Sequence, residues 1–262
     1  MKIGMPTLVE CDDIDSCVSV AKKYGIDFIE VNMSFPQYIP ANLSAEKMNA
    51  LAEENGIFYT IHADEQLNLF DFNPIVSDTY FKVFEDTIEF AKKINVKIIN
   101  MHLLKGVYVT LPNKVVLLTD IYKEQYLAKV KEFIQLCERT IADSGIKICI
   151  ENVDSNPFTI SQISALDLML KNDVFALTID VGHMDCLSYA DDDFMKKHAD
   201  KIIHMHLHDS DGKHPHLSLG SGRLDIKSLI DGYDKVENHL IEVKTIEGLA
   251  QSINYLNETG IY

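Results

Sequence analysis

Apolar and polar positions along the 262-residue chain follow two alternating periods. Short β-rich runs with a period of two begin near residues 2, 28, 58, 96, 147, 174, 202 and 240: KIGMP, FIEVNM, FYTIHA, VKIINMH, KICIENV, VFALTID, IIHMHLHD and LIEVK. Between them lie stretches with apolar residues at helical spacing, among them DIDSCVSVAKKYG, SAEKMNALAEENG, SDTYFKVFEDTIEFAKKI and YKEQYLAKVKEFIQLCERTIADSG. Several end on a glycine suited to a helix C-cap. Strand alternating with helix eight times predicts an α/β fold, a (β/α)8 TIM barrel forming a single domain over residues 1–262. An open doubly wound sheet is the competing architecture. Its first βα turn is usually glycine-rich, whereas here the first strand runs into GMPTLVECDD. The longest gap, 103–146, carries LLKGVYVTLPNKVVLLTD and predicts an extended loop after the fourth barrel strand, long enough to cover the barrel mouth.

In each run one alternation is apolar and the other becomes polar toward the strand's C-terminal end. Thr60 and His62 oppose Tyr59 and Ile61; Asn100 and His102 oppose Ile99 and Met101; Cys149 and Glu151 oppose Ile148 and Ile150. Thr178 and Asp180 oppose Leu177 and Ile179, His204, His206 and His208 share a face, and Glu242 and Lys244 share another. The last inward positions of strands three to eight therefore read His62, His102, Glu151, Asp180, His206 and Glu242. In a barrel these converge at one mouth, where active sites of this architecture are built. Three carboxylates and three imidazoles confined together must be paired, protonated or metal-bound. A divalent cation resolves the charge, and mixed His and carboxylate ligands suit zinc, manganese, iron or cobalt better than calcium.

Charge narrows the partners. Forty acidic against 24 basic residues give a net charge of −16, which repels DNA and anionic membranes, and no run of Lys or Arg offers a counter-patch. No apolar stretch approaches membrane-spanning length and MKIGMPTLVECDD lacks a long apolar core, so a cytoplasmic address is expected, with neither nucleic acid nor membrane as partner. Five scattered cysteines fit a reducing compartment. Self-association into a homo-oligomer is compatible with this sequence.

With IEN, TIDVGHMD, HLHD and LGSG in this order, the chain resembles the xylose isomerase-like barrel superfamily from FIEV to IEVK. That superfamily includes sugar-phosphate isomerases, ketose 3-epimerases, inosose dehydratases and isomerases, and endonuclease IV. The resemblance to its sugar-acting members implies a divalent metal (Mn, Zn, Co or Mg) on Glu151, Asp180, His206 and Glu242, with Glu151 and Glu242 doubling as the acid/base pair. The resemblance to endonuclease IV implies further metal ligands at His62 and His102 beside Glu151, and at His183, His214 and His216. That enzyme's DxH in the last loop is HPH here, so His214 departs from the pattern.

His204 is expected to be packed and hydrogen-bonded inside the barrel, and His208 to support a ligand or face substrate. His214 and His216 are either ligands or contacts to sugar hydroxyls. Arg223 and the turn Gly220-Ser221-Gly222 would either grip a substrate phosphate or form a plain turn. His198 and His239 lie outside the cluster. The functional expectation is a metal-dependent isomerase or epimerase acting on a small polyhydroxylated carbonyl compound. The alternatives are an abasic-site phosphodiesterase like endonuclease IV, a cyclitol ketone dehydratase or isomerase, and a non-catalytic metal or sugar binder.

Overall fold

The computed structural model describes residues 1–262. In chain order its strands are β1 (Lys2–Pro6), β2 (Phe28–Asn32), β3 (Phe58–His62), β4 (Ile98–His102), β5 (Tyr108–Leu111), β6 (Lys114–Leu117), β7 (Lys147–Glu151), β8 (Phe175–Asp180), β9 (Ile202–Leu207) and β10 (Asn238–Ile241). Eight of them close a parallel barrel in the order β1-β10-β9-β8-β7-β4-β3-β2, as the alternating pattern predicts. The surrounding helices are α1 (Ile14–Tyr24), α2 (Ala45–Asn55), α3 (Pro74–Lys93), α4 (Leu118–Ile121), α5 (Lys123–Ile141), α6 (Ile160–Met169), α7 (Val181–Cys186), α8 (Asp192–Lys197), α9 (Ile226–Gly232) and α10 (Ile246–Glu258). No helix is long and apolar enough to cross a membrane.

Local chemistry sets these limits. Asp13 caps α1 in a reciprocal box with Ser16, and Gly25 ends the helix at φ 69°. Ser44 and Gly56 do the same work for α2. Helix α3 starts before the SDTYF run because Asn73 caps it and Pro74 supplies the first turn's fixed φ. The segment after β4 is not the open loop expected: β5 and β6 pair antiparallel around Pro112-Asn113, and Lys105, Gly106 and Tyr108 border the mouth.

One apolar cluster of 61 buried residues fills the space between strands and helices. The barrel interior is layered differently. At its base Phe28 and Phe58 stack with centroids 5.0 Å apart. A side chain at Gly4 would bring its Cβ to 2.2 Å from the Phe28 ring, so the glycine in KIGMP makes room for this plug. Above it lie buried polar residues, Glu30, Thr60, Asn100, Thr178 and His204, and above those the strand ends that form the mouth.

Candidate metal and active site

The six residues selected by parity meet as expected. Glu151, Asp180, His206 and Glu242 each bring a donor atom within 4.8 Å of the other three. His206 Nδ1 lies 2.9 Å from Glu242 Oε2, 3.2 Å from Glu151 Oε1 and 3.8 Å from Asp180 Oδ2. A cation with bonds of about 2.1 Å in a tetrahedral site sets neighbouring ligand atoms roughly 3.4 Å apart, and the 2.9–3.8 Å spacings around His206 Nδ1 bracket that value. Burial agrees: Glu151, Asp180 and His206 are essentially inaccessible, and three carboxylates beside one imidazole form an anionic hole that a dication would neutralise.

Around this set lie two smaller groups, the first of which shares Glu151 with it. His62 Nε2 and His102 Nε2 approach Glu151 Oε2 at 3.4 and 3.2 Å, their rings packed edge to face. His183 Nδ1 lies 3.4 Å from both Glu151 Oε1 and Asp180 Oδ2, and joins His208 and His216 in a trio of imidazoles. Electrostatics follows this crowding. Burial opposes ionisation of Glu151, yet His206 and His102 outweigh it and hold the carboxyl well below its usual range. Burial likewise resists charge on Glu242, which His206 and Lys244 overcome. The imidazoles respond in reverse. Burial disfavours the charged forms of His62 and His183, but Glu151 raises the first to about 9, while Asp180 and Glu151 raise the second to about 10. Burial with no sufficient anion pulls His216 down to about 4.

The supporting contacts explain the sequence motifs. In IEN, Asn152 donates to the Asp180 carbonyl and accepts from the Asp180 amide, both at 2.9 Å, stapling the ends of β7 and β8 together. In VGH, a Cβ on Gly182 would stand 1.9 Å from His208 Cε1, so only glycine admits that ring. The His216 amide donates to His208 Nδ1 at 2.8 Å, which leaves the proton on Nε2, 3.0 Å from both Asp180 oxygens.

His208 is thus a buried support for Asp180 and does not face substrate. His214 is also corrected: its side chain is 73% exposed and bonded to Asp211 in its own loop, and His208 stands in its place beside His183 and His216. Arg223 does not border the cavity at the mouth either. Its guanidinium grips Asp185 through Nε and a terminal nitrogen at 2.8–3.2 Å, away from the mouth. The LGSG turn is occupied from within, because the amides of Ser210, Gly220, Gly222 and Leu224 all donate to the buried Asp209 carboxylate.

Above the ligand set opens a cavity of about 510 Å³, bordered by Glu65, Tyr108, Asp154, His183, Glu242 and Lys244 among others. Its size suits a small polar molecule. Lys244 donates to Glu242 at 2.8 Å, and Asn100 donates to Glu151. Glu30, buried in contact with His204 and His206, has no place in the set drawn from strands three to eight. Its signal is legible nonetheless: a lone carboxylate inside the apolar run FIEV.

The family model for the xylose isomerase-like TIM barrel matches residues 18–257. The chain belongs to this family. An uncharacterized protein of Methanocaldococcus jannaschii is 25% identical over 222 residues, 83% of each chain. Among solved structures, a D-tagatose 3-epimerase-like protein superposes with a TM-score of 0.76 at 22% identity, covering 98% of this chain and 96% of that one. The 3-keto-D-glucoside 4-epimerase YcjR of E. coli gives 0.76 at 16% identity, with both chains covered completely. The IOLI protein, solved with a bound zinc atom, gives 0.76 at 15%, covering 100% and 99%. At these identities the structures establish the shared barrel.

Proposed function

We propose that this family member is a sugar isomerase or epimerase that holds one divalent metal on Glu151, Asp180, His206 and Glu242. The observation that carries the reading is the pair of carboxylates, Glu151 and Glu242, approaching one imidazole nitrogen at 3.2 and 2.9 Å beneath a polar cavity. The bound ion would supply Lewis acidity, chelating neighbouring oxygens of an open-chain sugar and acidifying the C–H next to its carbonyl. Glu242, at the cavity wall with Lys244 on its Oε1, takes or returns that proton, and Lys244 keeps the carboxylate ionised between turnovers. Glu151 is held by Asn100 and His102 and exchanges a proton on the other side of the reacting carbon. His183 and His216 border the cavity and offer ring nitrogens to hydroxyls. The sugar epimerases of the same fold support this chemistry.

A panel of ketoses and cyclitol ketones in deuterated water tests the proposal. Deuterium should enter the carbon beside the carbonyl, and Glu242→Gln should abolish that exchange. Turnover without exchange in the wild type refutes the acid/base role.

One observation favours a second reading. His62 and His102 on Glu151, with His183 beside Asp180 and His216 beside Glu242, extend the donor set toward a several-metal cluster suited to phosphodiester hydrolysis. The charge of −16 ranks it second for a duplex substrate. Cleavage of an abasic duplex at catalytic protein concentration would reverse the order.

A further inference from the structure

We infer that Glu30 is a positioning residue for His206, fixing the tautomer and orientation in which this imidazole presents Nδ1 to the metal; the inference rests on the metal site proposed above. Glu30 lies on β2 and His206 on β9, with β1 and β10 between them in the ring, so their contact crosses the barrel interior.

The carboxylate is almost inaccessible, at 1% exposure. Its Oε2 accepts from Thr60 Oγ1 at 2.8 Å and meets His204 Nε2 at 3.0 Å. Its Oε1 and the Nε2 of His206 are both buried with no hydrogen-bond partner, and they lie 3.0 Å apart in an ion-pair contact that is not aligned as a hydrogen bond. Each is therefore left with the other.

Ligand chemistry gives this contact its direction. An imidazole binds a metal through an unprotonated nitrogen, so a His206 that offers Nδ1 carries its proton on Nε2. A buried N–H without an acceptor is costly, and Oε1, 3.0 Å away, is the unpaired carboxylate oxygen within reach of that proton. The carboxylate also makes the ring a stronger donor to the metal, as carboxylate–histidine–metal arrangements do. A purely space-filling residue at this position would need no charge. Burying an ionised carboxylate in the barrel, ringed by Thr60, His204 and His206, costs stability unless those contacts are used.

The experiment reads metal binding, with activity left aside. Zinc affinity is measured by chelator competition for wild type and Glu30→Gln, a variant of the same shape, alongside the melting temperatures of both metal-free proteins. Affinity should fall about ten- to a hundredfold, with metal-free melting temperatures within a few degrees. Equal affinities overturn the inference while leaving the metal site standing. Loss of one zinc equivalent with unchanged affinity for the remainder also overturns it, because Glu30, His204 and His206 would then be a site of their own. A wild type that binds no zinc overturns both the site and this role. A second measurement needs no variant. In the cadmium-113-loaded wild type, nitrogen-15 NMR should show cadmium coupling at His206 Nδ1 and a slowly exchanging proton on Nε2. Coupling at Nε2 refutes the inference even where Glu30→Gln fails to fold.

Discussion

Replacing Asp209 by Asn tests whether the LGSG turn is an internal anion nest or a phosphate site. Asp209 Oδ1 accepts from Ser210 and Leu224 amides at 2.8 and 3.1 Å, and Oδ2 from Gly220 and Gly222 at 3.0 and 2.9 Å. Asparagine keeps one carbonyl oxygen but turns an NH2 toward two of these donors. Two hydrogen bonds to a charged group are lost, at about 1.5–3 kcal/mol each. Relief from burying the charge offsets part of this, so a net loss of about 3 kcal/mol is expected. For a chain of this length, about 2–4 °C per kcal/mol turns that loss into a fall in melting temperature of about 6–12 °C. Urea unfolding of both proteins checks it, with an unchanged slope showing that the folded state stays compact. A loss below about 1 kcal/mol refutes the weight placed on the nest. So would stabilisation of the wild type by millimolar inorganic phosphate, since a turn already filled by Asp209 has no amides to offer.

His239 is buried, with Nδ1 toward the Glu237 carbonyl and Nε2 without a partner, and burial lowers it to about 4. The folded chain therefore refuses a proton that the unfolded chain accepts below about 6.5, so stability is full above that pH and falls by about 3 kcal/mol toward pH 4. Urea unfolding at pH 7.5 and 4.5 should show a smaller acid loss for His239→Leu, and equal losses would refute the assignment. Gly182→Ala should displace the His208 ring from Asp180, costing about 1–3 kcal/mol and weakening zinc binding; unchanged zinc affinity by chelator competition counts against His208 as a support. His214→Ala should leave zinc binding unchanged, while His216→Ala removes a ring beside the proposed ligand Glu242 and should lower zinc affinity. Calorimetric titration separates the two, and the reverse outcome would restore His214 to the site.

The barrel and its six inward strand-end residues are legible because both depend on a period of two within single short runs, and a period needs no knowledge of distant partners. His62, His102 and Asp180 reveal their direction through the apolar residues on either side of them. The loop residues resist such reading. Between Asp209 and Leu224 the path is set by four amides closing on one carboxylate, and this sends His214 outward and His216 inward although they sit two positions apart. Arg223 is claimed by Asp185, 38 residues earlier in the chain, a pairing that no spacing rule reports. The β5–β6 hairpin hides for a different reason: its residues are largely exposed on both faces, so no buried alternation marks them as strands.

The closing of the ring between β1 and β10 also orders events in time. The ligand set is drawn from residues 151 to 242, and Glu242 follows immediately after β10. During synthesis the earlier strands emerge with Glu151, Asp180 and His206 in reach of one another but with a wall and the fourth donor still missing. A cation met at that stage finds an open, wet and incomplete pocket. For the proposed metal site, tight binding would therefore wait until β10 has docked between β1 and β9, and a nascent chain stalled ahead of it would carry three of the four proposed ligands and hold metal weakly.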